Sequence, residues 1–258
     1  MAALFFAACV VCLLIGPHVH PMARAAYNSQ IVLSAASATA TVSAVWLALT
    51  LLFGRIYCAV ACPVGTFSDI FLRLRRRIPR LGKPFRYRPR APWTVHVLWA
   101  YLLCVVIGVA VVPFIIEPWN IARNAAAAAR PELTASTWGT IGFGAAWGAT
   151  AGVLSLLVIA ILSLWHGREF CTRFCPLGTA LGYAQKISMM HIEINPDKCI
   201  SCGRCEENCR AQCIQVKTRH IDETRCVRCF DCVADCPAGA IRYQPGRNRP
   251  ATPVMNYK

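Results

Sequence analysis

The stretch that decides the fold is residues 199–236, CISCGRCEENCRAQCIQVKTRHIDETRCVRCFDCVADC. Eight of its cysteines follow two copies of the spacing C-x2-C-x2-C-x3-C, and the second copy begins at Cys226. Cysteine runs of this spacing hold [4Fe–4S] clusters, because three close thiolates wrap one cluster while the fourth, more distant cysteine binds a second cluster. The doubled spacing therefore predicts two [4Fe–4S] clusters in this part of the chain.

Each cluster is expected to take three cysteines from one copy and the last cysteine from the other copy. The predicted ligands of cluster 1 are Cys199, Cys202, Cys205 and Cys236. The predicted ligands of cluster 2 are Cys226, Cys229, Cys232 and Cys209. This exchange predicts an α+β double-[4Fe–4S] ferredoxin-like domain over residues 191–245. Zinc is the competing interpretation because cysteine pairs also bind zinc, but the repeated triple spacing favours iron–sulfur clusters.

The first copy departs from the pattern after its fourth cysteine. Arg210 stands where the second copy has Pro237, and a further cysteine, Cys213, matches Ala240 of the second copy. Cys213 is therefore either a buried free cysteine or the ligand of cluster 2 in place of Cys209. The regular spacing favours Cys209, with Cys213 as the alternative.

Composition indicates that the rest of the chain lies in a membrane. Hydrophobic residues make up 56% of the 258 residues, and the mean hydropathy is +0.45, more apolar than a typical soluble domain. About 20 apolar residues cross a bilayer, and four stretches are predicted to do so: residues 2–17, 31–53, 93–116 and 138–165. The first stretch also resembles a signal peptide over residues 1–25, but no Lys or Arg precedes it, which favours a retained helix.

The net charge of +15 is concentrated between these stretches. Residues 54–92 contain ten Lys and Arg residues, whereas the links 18–30 and 117–137 contain few. The positive-inside rule therefore places residues 54–92 and both termini in the cytoplasm. This distribution favours a lipid bilayer over nucleic acid as the partner of the basic residues. We predict a multi-pass protein of the bacterial inner (cytoplasmic) membrane with its ferredoxin domain on the cytoplasmic side.

A second repeat lies within the apolar part of the chain. Residues 54–66, GRIYCAVACPVGT, and residues 167–179, GREFCTRFCPLGT, share the pattern G-R-x-[Y/F]-C-x3-C-P-x-G-T. Each copy follows an apolar stretch, which predicts a transmembrane domain of about four helices, built as a tandem two-helix repeat, over residues 1–190. Residues 246–258 are predicted to form a flexible tail.

The two C-x3-C-P motifs are predicted to meet at the cytoplasmic membrane surface. Their four thiols are expected to hold a third iron–sulfur cluster or another metal: Cys58, Cys62, Cys171 and Cys175. Redox-active thiols, transient copper binding and tight packing are the alternatives.

Together these parts resemble a known family. Membrane helices with two C-x3-C-P motifs, followed by a double [4Fe–4S] domain, are similar to the NapH/MauN-type ferredoxin-like membrane proteins over residues 31–243. The extra cysteine in NCRAQC, residues 208–213, is similar to a branch known only as 4Fe–4S binding proteins. The resemblance implies that electrons pass between the quinone pool, or a cytoplasmic donor, and a partner redox enzyme.

The predicted function is therefore membrane-bound electron transfer. The chain is expected to act as an electron-transfer subunit that resembles a quinol dehydrogenase. The alternative is an assembly factor that reduces copper for a redox enzyme, with the C-x3-C-P thiols as its working site. No catalytic residue is predicted, and the sequence identifies neither the electron donor nor the acceptor.

Overall fold

The computed structural model describes residues 40–78, 84–107, 116–129 and 145–246. The predicted span at residues 2–17, the possible signal peptide and nearly all of the predicted tail lie outside the described residues. The predicted spans at 31–53, 93–116 and 138–165 are each described in part.

Helices form all of the regular structure before residue 190 in the described chain. Their bounds are α1 (Ala40–Phe53), α2 (Ile56–Val60), α3 (Pro63–Arg77), α4 (Trp93–Ile107), α5 (Pro118–Ala129), α6 (Ala145–His166), a π-helical turn (Phe170–Phe174) and α7 (Pro176–Gln185). Both α3 and α7 begin with a proline, whose fixed φ suits the first helical position and whose missing N–H is not needed there.

The sequence repeat is also a structural repeat. The apolar helix α1 leads through α2 to α3, and the apolar helix α6 leads through the π-helical turn to α7. Helix α3 packs against α6, and α7 packs against α1. Each helix that follows a C-x3-C-P motif therefore contacts the apolar helix of the other repeat, so the two repeats are interlocked.

One described helix, at Trp147–His166, is long and apolar enough to cross a membrane, and shorter apolar helices lie at Thr41–Phe53 and Trp93–Cys104. Large apolar side chains point away from the protein along α6, including Trp147, which is 74% exposed. The multi-pass topology stays a prediction.

The link predicted at residues 117–137 contains the helix α5, which packs along α6. The two backbones approach closely at Gly152, where an added Cβ would overlap Ala125 and Asn124. Ile121 of α5 belongs to the buried core that surrounds Cys58. This segment is therefore part of the packed helical domain, and the side of the membrane that it faces stays a prediction.

The C-terminal part is the α+β ferredoxin-like domain that the cysteine spacing predicts. Strand β1 (Met190–Ile194) pairs antiparallel with β4 (Ile241–Pro245), and β2 (Ile214–Gln215) pairs with β3 (His220–Ile221). Two short helices, α8 (Arg204–Glu207) and α9 (Asp231–Ala234), lie within the two cysteine runs. The apolar core is formed by Ile192, Ile214, Ile221, Val227 and Ile241.

The ferredoxin-like domain rests directly on the helical domain. The Met189 N–H donates to the Leu51 carbonyl over 2.9 Å, and the Tyr243 hydroxyl donates to the Phe53 carbonyl over 2.8 Å. Both acceptors lie in the last turn of α1, where helix carbonyls lack a partner within the helix.

Candidate iron–sulfur and thiol sites

The four cysteines predicted for cluster 1 line one cavity, here called the outer cavity: Cys199, Cys202, Cys205 and Cys236. It contains about 350 Å³ of empty space, part of which is open to solvent. The chain turns between its cysteines at Ser201 and Gly203, both of which have positive φ. Cys202 is exposed, so the outer cavity opens at the protein surface.

The cysteines predicted for cluster 2 line a second cavity of about 340 Å³, here called the inner cavity, together with Cys213: Cys209, Cys226, Cys229 and Cys232. All of them except Cys229 are buried, and the other lining residues are apolar, among them Ile192 and Val227. The inner cavity is therefore the more enclosed of the two.

The donor sets of both cavities fit [4Fe–4S] clusters. Such a cluster takes one thiolate on each iron atom, and each cavity offers the predicted four sulfurs within apolar walls. Within the described ranges, no three or more His, Cys, Asp or Glu side chains are grouped for a single metal ion. The spread of the sulfurs around a cavity suits a cluster better than zinc.

The inner cavity contains a fifth sulfur. The Sγ atoms of Cys209 and Cys213 are 3.6 Å apart, and the Cys213 N–H donates to the Cys209 Sγ over 3.4 Å. In the other copy, the Ala240 N–H donates to the Cys236 Sγ over 3.3 Å. Cys209 and Cys236 therefore have matching backbone contacts.

The C-x3-C-P cysteines of the two repeats come together in a site here called the four-thiol site: Cys58, Cys62, Cys171 and Cys175. All four are at most 6% exposed. Burial raises the pKa of each thiol, that of Cys171 to about 11. Neighbouring thiols raise the pKa further for Cys62, Cys171 and Cys175, whereas Arg55 and Arg168 lower it for Cys58 and Cys171. Without a metal these thiols are therefore uncharged at neutral pH, and a bound metal would have to displace their protons.

The geometry of each motif explains its sequence. A Cβ on Gly65 would overlap the Cys58 carbonyl, and a Cβ on Gly178 would overlap the Cys171 carbonyl, so glycine is required in both copies. The second cysteine of each motif is the N-cap of the helix that follows. The carbonyl of the first cysteine in each motif therefore packs against the first turn of the helix that follows.

Arg55, the arginine of the first motif, is completely buried. Its guanidinium donates to the Gly178 carbonyl in the second motif, and to the carbonyls of Arg225 and Cys226 beside the inner cavity, the latter two over 2.6 and 3.3 Å. No carboxylate of the described residues pairs with it. A buried cation without a counter-charge is costly, and Arg55 interacts electrostatically with Cys58 and Cys171.

Arg168, the arginine of the second motif, has a carboxylate partner. Its Nε and Nη2 atoms donate to the two carboxylate oxygens of Asp69 over 2.8 and 2.6 Å, and its Nη1 donates to the Cys58 carbonyl over 3.0 Å. Asp69 also pairs with Arg210, which pairs with Asp231 in the ferredoxin-like domain. This network joins both repeats to the ferredoxin-like domain.

The repeat is not symmetric in charge. Gly182 occupies the position in the second repeat that Asp69 occupies in the first. It lies against the Arg55 guanidinium, and a Cβ there would overlap the Thr224 carbonyl. The backbone beside the inner cavity therefore occupies the space where a carboxylate for Arg55 would otherwise lie.

Sequence reasoning identified the cysteines but missed these arginines. The Gly-Arg pair at the start of both motifs was the available signal, since its offset from the cysteines is the same in both copies. Three further arginines, Arg210, Arg225 and Arg228, are not solvated charges, because all three are buried and hydrogen-bonded.

Family comparisons agree with this arrangement. Residues 38–82 match a family described as a 4Fe-4S binding domain, and residues 198–240 match a 4Fe-4S dicluster domain. A second dicluster family matches residues 168–210. The first match includes one C-x3-C-P motif, and the second includes all the predicted ligands of the inner and outer cavities.

Three relatives resemble the chain over about two thirds of its length. The chain is 25% identical to the putative electron transport protein YccM of Escherichia coli (strain K12), over 67% of this chain and 47% of the relative. It is 30% identical to the regulatory protein NosR of Pseudomonas aeruginosa, over 64% and 21%. It is 28% identical to the methylamine utilization ferredoxin-type protein MauN of Paracoccus denitrificans, over 60% and 48%. These relatives and the matched 4Fe-4S domains support a MauN/NapH-type 4Fe-4S ferredoxin-like family.

These matches confirm the resemblance that the sequence motifs suggest. The chain spans about half or less of the length of these three relatives. No solved structure matches the chain.

Proposed function

We propose that the chain is a membrane-bound iron–sulfur electron-transfer protein, which passes single electrons between a quinol or a cytoplasmic donor and a partner redox enzyme. The observation that carries this proposal is the order of the three cysteine sites. The four-thiol site is next to the inner cavity, and the outer cavity opens to solvent. Clusters bound in the cavities would supply one-electron redox chemistry, while the chain orders and insulates them.

Arg55 supports this order directly. One guanidinium donates both to Gly178, three residues after Cys175, and to the Cys226 carbonyl at the inner cavity. Arg168 contacts the Cys58 carbonyl and interacts electrostatically with Cys229. Each arginine thus contacts both the four-thiol site and the inner cavity, and these contacts support electron passage between the two sites.

The ligand sets predicted from the sequence are part of the proposal. The outer cavity would hold one [4Fe–4S] cluster and the inner cavity a second. The four-thiol site would hold a third iron–sulfur cluster, because its described thiols, like those of the cavities, are not grouped for a single metal ion. Two observations favour a metal centre at the four-thiol site over redox-active thiols. Reactive cysteines are partly exposed and have a lowered pKa, whereas these four are buried with a raised pKa. The buried charge of Arg55 also calls for an anionic neighbour, which a thiolate-bound centre would supply.

The membrane location rests on the exposed apolar side chains of the helical domain. Leu154, Ile161 and Trp165 of α6 are each more than half exposed, as are Trp99 and Val106 of α4. Apolar surface of this extent is buried in water-soluble proteins, so it suits contact with lipid. The proposed orientation keeps the ferredoxin-like domain in the cytoplasm of a bacterial cell, with the chain in the inner membrane.

The proposal is tested by iron and acid-labile sulfide analysis of protein purified anaerobically from membranes, followed by EPR spectroscopy after reduction. Two clusters give about eight iron atoms per chain, and a third centre adds to that number. The extra iron should be lost in the double variant Cys58→Ser/Cys171→Ser, while the EPR signals of the ferredoxin-like domain remain. Cys104→Ser, outside all three sites, is the control.

Three results would contradict parts of this proposal. Stoichiometric zinc with fewer than about four iron atoms would reject the clusters. An iron count unchanged in the double variant would reject a third iron centre, and copper at the four-thiol site would favour the copper-reducing assembly factor. Recovery of the chain from the soluble fraction without detergent would reject the membrane location.

A further inference from the structure

The inner cavity contains one more thiol than a [4Fe–4S] cluster needs, whereas the outer cavity contains the required number. Cys213 is the extra thiol, and the matching residue at the outer cavity is Ala240. Both are buried. The two halves of the ferredoxin-like domain therefore differ at one sulfur atom next to the ligands.

Contact distance shows that Cys209 and Cys213 cannot both be ligands of one cluster. Their Sγ atoms are 3.6 Å apart, which is contact distance for two sulfur atoms. Terminal thiolates on a cubane bind different iron atoms at separate corners, so they do not touch each other. Only one of the two cysteines is therefore available as the fourth ligand.

The backbone contacts assign that ligand. Cys209 accepts the N–H of residue 213 over 3.4 Å, as Cys236 accepts the N–H of residue 240 over 3.3 Å. Cys209 thus has the same geometry as Cys236, which has no second cysteine beside it because residue 240 is alanine. The thiol of Cys213 is left to hydrogen-bond with the side chains of Cys209 and Cys226.

We infer that Cys213 is a positioning residue whose S–H donates to a ligand sulfur of the inner cluster and raises the reduction potential of that cluster. Hydrogen bonds to cluster sulfurs stabilise the reduced, more negative state, and so they raise the potential. This inference rests on the proposed function, because it requires a cluster in each cavity.

The test is a potentiometric titration, followed by EPR, of the intact membrane protein and its Cys213→Ala variant. The variant should retain the wild-type iron content and both cluster signals. The inner couple should shift to more negative potential while the outer couple stays unchanged. One hydrogen bond corresponds to a change of up to about tenfold in the reduced-to-oxidised ratio, which is about 59 mV for a one-electron couple.

Two further variants separate tuning from packing. Cys213→Ser keeps a donor of similar size and should restore most of the potential lost in Cys213→Ala. Ala240→Ser adds a donor beside Cys236 and should raise only the outer couple, which also identifies the two signals.

The outcomes separate this inference from the proposed function. Wild-type protein without clusters would reject the proposed function itself. Loss of the inner cluster in both Cys213 variants would show that Cys213 is a ligand and would overturn the inference. Unchanged potentials in Cys213→Ala, with both clusters intact, would show that the thiol only fills space.

Discussion

Replacement of Arg55 by methionine tests whether the four-thiol site carries negative charge. The side chain is completely buried and donates to three backbone carbonyls, but no described carboxylate pairs with it. The two possible states of the site give opposite expectations. With an anionic centre bound, Arg55 is one half of a buried ion pair, whereas with four uncharged thiols it is an uncompensated buried cation.

The magnitudes follow from this difference. Breaking a buried ion pair by removing one partner costs about 3–5 kcal/mol, because the remaining charge stays buried. Removing a buried cation that has no counter-charge recovers a desolvation penalty of several kcal/mol. That recovery would largely offset the hydrogen bonds lost, which are worth about 1.5–3 kcal/mol each for a charged donor. The first case predicts strong destabilisation, and the second predicts a change near zero.

The assay is thermal unfolding of the purified protein in detergent, together with its iron content. We expect Arg55→Met to lose the metal of the four-thiol site and to unfold at lower temperature. Arg55→Lys, which keeps the charge, should retain the metal more fully. Arg204→Met, at an exposed arginine beside the outer cavity, should change neither. An Arg55→Met protein with wild-type stability and iron content would refute the charge argument.

Three more predictions concern packing, cluster access and pH. Gly152→Val should separate α5 from α6, because its side chain would overlap the α5 backbone at Ala125. It should lower the yield of folded protein in detergent relative to Val153→Ile, a change on the exposed face of α6. A slow iron chelator should remove the cluster beside the exposed Cys202 before that of the inner cavity, as EPR at successive times would show; simultaneous loss would contradict the difference in burial. Metal-free protein should lose stability as the pH rises from about 9 to about 11. In this range the thiols of the unfolded chain ionise, while the folded Cys171, with its pKa raised to about 11, stays neutral. A melting curve at each pH checks this, and Cys171→Ala should be the less sensitive control.

The sequence predicts the cysteine cavities well because cluster ligation is largely local. Three cysteines within seven residues must face one point, and only Cys209 and Cys236 require knowledge of the other copy. The structure places both at the expected cavity walls. The apolar helices were equally accessible, since composition alone identifies them.

Long-range contacts were beyond the sequence. The partners of Arg55 are more than 120 residues away along the chain, and no local pattern encodes them. The helix α5 was interpreted as part of a link because its composition is only weakly apolar, yet packing against α6 holds it. Burial of Arg210 was missed because an arginine in a cysteine run is by default a solvent-exposed charge.

The two repeats carry unequal charge, and this difference explains why the matching arginines Arg55 and Arg168 have different partners. Asp69 neutralises Arg168, but its counterpart is Gly182, where any side chain would overlap the Thr224 carbonyl. Arg55 is thereby directed to the carbonyls beside the inner cavity. Gly182→Ala should therefore push the ferredoxin-like domain away from the helical domain and break these hydrogen bonds.

Limited proteolysis of the membrane-embedded protein would detect that separation as faster release of the ferredoxin-like domain. Gly239→Ala is the matched control, since a Cβ there meets no atom within 4 Å, although its positive φ of 56° adds local strain. Equal proteolysis rates for the two variants would show that contact at Gly182 does not hold the domains together. Faster release from Gly182→Ala alone, with the inner cluster still bound, would show that this one glycine couples the thiol repeats to the inner cavity.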